Sequence, residues 1–147
     1  MNPKIANLPI TILLIEDNPG DVRLIQEAFK AAKVANEINS VVNGLDAMSF
    51  LRKEGDFSSA HTPDLIILDL NLPGKDGREV LAEIKSDPAL KKIPIVVLSS
   101  SSAMEDIVTS YELSANCYIT KPIDVNEFFN VINKINDFWI TIVKLPS

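Results

Sequence analysis

Glu16-Asp17, Asp69, Ser99-Ser100 and Lys121 are the side chains of this sequence whose chemistry reaches beyond folding. Each set closes a short apolar run, so the fold that pairs those runs also decides whether the polar groups meet. Two carboxylates about 4 Å apart repel by roughly 4 kcal/mol at an effective dielectric near 20. Three brought together need a cation or a raised pKa. An all-oxygen cluster without His or Cys suits a hard ion such as Mg²⁺, with Mn²⁺ as a substitute, which keeps waters and shares its sphere with a phosphate. Screened in this way, Asp69 can approach an anionic phosphoryl donor and become an aspartyl phosphate, a known form of covalent catalysis. Lys121 would pair with the transferred group as a point charge, and the Ser99 hydroxyl would hydrogen-bond to it. Positioning and charge neutralisation then supply most of the rate.

The elements that must position these groups are legible as two alternating periodicities. Ile10–Ile15, Asp64–Asp69 and Ile95–Leu98 are nearly continuous apolar runs, the mark of strands buried on both faces. Glu37–Val42 and Cys117–Thr120 read as further strands. Between them the spacing turns helical. Asn18-Pro19 supplies a cap and a first-turn proline for a helix with Val22, Ile25, Phe29 and Ala32 on one face. Leu45–Lys53 follows, with Ala47, Met48 and Leu51 inward. Asp76-Gly77 opens a helix bearing Val80, Leu81 and Ile84, and Ala103–Leu113 is a fourth. Val125, Phe128, Ile132, Ile135 and Trp139 form a final stripe. Five strand–helix pairs in strict alternation imply an α/β fold, a doubly wound five-stranded parallel sheet with five helices. In such sheets ligands bind beyond the carboxyl ends of the strands, where these polar residues fall.

Composition narrows the function classes. The 147 residues suit one domain, and 46% hydrophobic with 23% charged residues can bury a real core. A net charge of −6 argues against a nucleic-acid footprint. The single cysteine, Cys117, excludes an intramolecular disulfide framework and suits a reducing cytoplasm. No apolar run approaches the roughly 18 residues of a membrane helix. The expectation is a cytoplasmic single domain over residues 1–147, with its core at about 10–135 and a C-terminal helix and tail at 124–147.

Taken in order, Glu16-Asp17, the stretch Asp69–Gly77 (DLNLPGKDG), Ser99 and Lys121-Pro122 resemble the receiver domain of two-component response regulators, over about Ile10 to Ile135. The resemblance implies a flavodoxin-like sheet of order 2-1-3-4-5 and a phosphorylatable signalling switch fed by a sensor histidine kinase. It implies Asp69 as phosphoacceptor, and Mg²⁺ held by Asp17, Asp69 and the backbone carbonyl of Asn71, with Glu16 acting through water. Ser99 becomes the switch hydroxyl, Tyr118 the rotating aromatic, Lys121 the phosphate-binding cation, and Lys121-Pro122 a cis peptide. The segment Asn116–Lys121 and the tail Phe138-Trp139 to Leu145-Pro146-Ser147 are similar to stand-alone receivers paired with cyanobacterial phytochrome kinases, although Pro122 stands where that subgroup has serine. The signal would leave by protein–protein contact or phosphorelay, and enzymatic activity is limited to self-phosphorylation and self-dephosphorylation.

Each of these residues also has a plainer reading. Asp17 alone could cap a helix, but three acids at strand ends opposite Lys121 favour an active site. His61 lies in a polar stretch far from any strand end and reads as a solvated loop residue. Cys117 reads as a small strand residue. The apolar stripe of the last segment exceeds one core face, which suggests a patch for a partner or a second copy; the resemblance to receivers implies a homodimer through the fourth helix, fifth strand and fifth helix. Two other functions fit the same residues less well. A small Asp-nucleophile phosphohydrolase would want a second acid where Asn71 stands, and a phosphorylation-independent adaptor would not need the acid set.

Overall fold

The three apolar runs form the central strands of one sheet, with side chains buried on both faces, while the two more polar segments form its half-buried edges. A computed structural model describes residues 10–31, 36–100 and 117–138. Its strands are β1 (Ile10–Ile15), β2 (Asn36–Val41), β3 (Leu65–Asp69), β4 (Ile95–Ser99) and β5 (Cys117–Thr120). They pair in the order β2-β1-β3-β4-β5, every neighbour parallel. Four α-helices stand among the described residues: α1 (Pro19–Ala31), α2 (Gly44–Leu51), α3 (Gly77–Ser86) and α4 (Val125–Phe138). The helix expected at Ala103–Leu113 lies outside the described residues.

The pleat sorts the strand side chains between two cores. Ile12 and Leu14 of β1, Leu65 and Ile67 of β3, and Val96 and Leu98 of β4 face Ile25, Ala28 and Phe29 of α1 and Phe128 of α4. Their neighbours Leu13, Ile15, Ile66, Leu68, Ile95 and Val97 face Ala47, Met48 and Leu51 of α2 and Val80, Leu81 and Ile84 of α3. The period-2 alternation of a strand thus feeds both layers of the sandwich. Phe29 and Phe128 meet edge to face with centroids 6.0 Å apart, tying α1 to α4. Because β2 and β3 flank β1 on opposite sides, the sheet changes direction at β1 and β3, and a crevice opens beyond their carboxyl ends.

The sequence boundaries need three corrections. The second helix runs from Gly44 to Leu51, not from Leu45 to Lys53. Asn43 caps it by accepting from the Asp46 amide, and its end is closed by Arg52 N–H to Met48 and by Lys53 at φ 57°. Leu45 therefore points outward, 67% exposed. The second strand ends at Val41, so Val42 is exposed. Val125, expected on the inward stripe of the last helix, is also exposed, because burial starts one turn later at Phe128. Ala32, the side chains of Ile132 and Ile135, and Trp139 lie outside the described residues.

Gly77 is dictated by close approach. A Cβ on Gly77 would strike the carbonyl oxygen of Asp69 and sit 2.5 Å from Leu70 Cα. The Gly77 amide also donates to the Leu70 carbonyl at 3.2 Å. The start of α3 is thereby seated on the end of β3. Gly77→Ala should cost about 1–3 kcal/mol of stability through overpacking, read by urea unfolding. A loss within about 0.5 kcal/mol, the range of ordinary surface changes, would contradict this packing.

Candidate functional site

The chemistry-bearing residues meet at the carboxyl ends of β1, β3, β4 and β5. Glu16 continues β1, its amide donating to the Val41 carbonyl at 3.0 Å. Asn18 then turns the chain into α1, accepting the Asp21 amide on its side chain at 3.1 Å while its own amide donates to Glu16 Oε2 at 3.2 Å. Carboxylate oxygens of Glu16, Asp17 and Asp69 lie within 4.8 Å of one another. Glu16 and Asp69 are buried, at 0% and 2% exposure, whereas Asp17 is open to solvent.

Lys121 enters this group from the end of β5, where its amide donates to the Ser99 carbonyl at 2.7 Å. Its Nζ lies 2.7 Å from Glu16 Oε1, 2.9 Å from Asp21 Oδ2 and 3.1 Å from Asp69 Oδ2. The other oxygen of Asp69 accepts the Asn71 amide at 2.8 Å. The Asn71 side-chain oxygen in turn accepts from Ser99 Oγ at 3.2 Å, Ser100 N at 3.1 Å and Ser100 Oγ at 3.1 Å. Tyr118, half-buried on β5, packs against the core on the α2 and α3 side. The Lys121-Pro122 peptide is cis. His61 is exposed and Cys117 half-buried, as expected for a loop and a strand residue.

Comparison with known proteins agrees with this geometry. Residues 12–133 match the family model of the response regulator receiver domain. The chain belongs to the response regulator receiver family. It is 47% identical over 142 residues to response regulator Rcp1 of Synechocystis sp., covering 97% of each. Among solved structures it resembles the phosphorylated cyanobacterial phytochrome response regulator RcpA, at 53% identity and a TM-score of 0.81. It resembles the Mn²⁺-bound form of Rcp1 equally well, at 47% identity and a TM-score of 0.81. Both alignments cover 95% of this chain and all of the other. Phosphorylation-accepting signalling is thus the function of this receiver, and among its described residues no helix is long and apolar enough to cross a membrane.

The receiver's acid cluster is held at an electrostatic cost. Burial, with the Asp69 carboxylate beside it, pushes the Glu16 carboxyl up to about 7, against the pull of Lys121. Burial alone would lower the Lys121 ammonium, but Glu16, Asp21 and Asp69 outweigh it and hold that pKa above its ordinary value. Glu16 Oε1 is buried without an aligned hydrogen bond, although the ammonium is near. An acceptor-rich, oxygen-only cluster of three carboxylates within 4.8 Å of one another fits a hard divalent cation.

Two participants escaped the sequence reading. Asp21 is the third carboxylate on Lys121; its signal was an acid one turn after Asp17, in the first turn of a helix whose cap aims it back at the strand end. The hydrogen bonds of the Asn71 side chain are the other, since the resemblance gives a site role only to its backbone carbonyl.

The displaced Glu16 pKa has a measurable sign. In metal-free protein the native state keeps the Glu16 proton up to about pH 7, while the unfolded chain loses it near 4.5. The stability this proton contributes is complete below the unfolded value and is lost as pH rises through the folded one. Glu16→Gln, which cannot ionise, should therefore gain on the wild type by up to about 3 kcal/mol between about pH 4.5 and about pH 8 in the presence of a chelator. A difference between the two proteins that stays constant with pH would contradict the assignment.

Proposed function

We propose that Asp69 is the phosphoacceptor of a Mg²⁺-dependent switch served by a sensor histidine kinase. The observation that carries this reading is the Asp69 carboxylate itself, 2% exposed at the end of β3 between an ammonium and two further acids. Asp17, Asp69 and the backbone carbonyl of Asn71 would hold the metal, with Glu16 acting through water. Bound there, the cation neutralises negative charge shared by the acids and the incoming phosphoryl group. An Asp69 oxygen forms its bond to phosphorus as the donor's phosphorus–nitrogen bond breaks, and the donor imidazole leaves. Lys121 holds the phosphoryl oxygens as a point charge, and Ser99 donates its hydroxyl to one of them. The added charge favours a second arrangement in which Ser99 and Tyr118 have moved, so the signal is a shift of population.

The phytochrome response regulators among its relatives support a phytochrome as the kinase. Asn71, where a hydrolase would want a second acid, favours signalling over multiple turnover. A homodimer through the predicted fourth helix, β5 and α4 is the proposed output surface, in the cytoplasm. Light scattering should show dimer with or without a phosphoryl mimic, and monomer under both conditions would end that part of the reading.

Phosphotransfer tests the central part. Asp69→Asn should reduce label uptake from acetyl phosphate or a cognate kinase to background while Mg²⁺-free stability stays within about 1–2 kcal/mol of wild type, since asparagine keeps the acceptor of the Asn71 amide bond. Uptake at the wild-type level in that variant would overturn the assignment.

A further inference from the structure

Resting on the phosphoacceptor reading above, we propose that the Asn71 side chain is a latch that holds the β4 terminus in its unphosphorylated arrangement. Three groups converge on its single amide oxygen: the Ser99 hydroxyl at 3.2 Å, the Ser100 amide at 3.1 Å and the Ser100 hydroxyl at 3.1 Å. The backbone N–H of Ser100 can only donate, which fixes the oxygen, rather than the nitrogen, as the end facing β4. A carbonyl oxygen has two lone pairs, so the two hydroxyls share what the amide leaves.

Asn71 is also tied to the acid that accepts the phosphoryl group. Its amide donates to Asp69 Oδ1 at 2.8 Å, while Asp69 Oδ2 faces Lys121. Backbone and side chain of one residue thus connect the phosphoacceptor to the end of β4. The buried Ser99 hydroxyl has one proton, and in the resting protein that proton is within reach of Asn71 Oδ1. Donating it to a phosphoryl oxygen on Asp69 requires giving up Asn71. Ser100 loses its anchor if the loop follows. Bonds made only in the resting arrangement stabilise it, and their removal moves the equilibrium toward the phosphorylated arrangement. Asn71 is a positioning residue in this scheme, acting through Ser99 and Ser100.

The test is titration of beryllofluoride, a phosphoryl mimic, into the full chain at saturating Mg²⁺, with bound fluoride followed by NMR. Asn71 is exposed, so Asn71→Ala leaves the core untouched. The variant should bind the mimic about three- to tenfold more tightly, the range set by one or two neutral hydrogen bonds. In a Ser99→Ala background the same change should gain less, because one of the released bonds is already missing. Equal or weaker binding by Asn71→Ala, or an undiminished gain without the Ser99 hydroxyl, overturns the latch. A wild type that shows no Mg²⁺-dependent binding of the mimic overturns the phosphoacceptor reading and the latch with it, a failure visible before any variant is compared.

Discussion

One ammonium holds the rim of this protein together. Lys121 Nζ stands within 3.1 Å of three carboxylates, one just past the end of β1, one on α1 and one on β3. Without it, two buried acids would repel at the strand ends, each such pair costing roughly 4 kcal/mol at 4 Å and an effective dielectric near 20. Even with it, Glu16 keeps its proton far above the ordinary carboxylate range. The resting site is therefore short of positive charge, and that deficit favours both a divalent cation and the exchange of partners on which switching depends.

The rest of the fold makes that contact possible. The five parallel strands end at the same rim because every crossover returns the chain to the same starting edge, so acids from β1 and β3 face a lysine from β5. Gly77 allows α3 to begin against Asp69 and Leu70, which fixes the backbone at the end of β3. Asn71 couples that backbone to the end of β4. Two apolar cores, one on each side of the sheet, keep these ends in register while the rim stays polar.

Most of this was legible in the sequence where a single physical rule decided the outcome. The runs Ile10–Ile15 and Cys117–Thr120, and the helix opening at Gly77, are observed where the patterning put them. Where two rules competed, the pattern misled. The Asn43 cap starts the second helix at Gly44 and Arg52 closes it after Leu51, while β2 ends at Val41, so both elements stop short of the ends that the pattern predicts. At Val125, the first residue of α4, the stripe had not yet turned inward. In the site, residues lying at strand ends were readable from type and spacing. Asp21 and the Asn71 side chain were not, since their contacts depend on where a helix cap and a loop aim a short side chain.

The most direct check on the whole account is chemical location of the phosphoryl group. Protein phosphorylated in Mg²⁺ is treated with borohydride, which reduces an aspartyl phosphate to homoserine, and the peptides are sequenced by mass spectrometry. Homoserine at residue 69 is the predicted result. Homoserine at Asp17 instead, or stable phosphate on His61 with Asp69 unmodified, would contradict it.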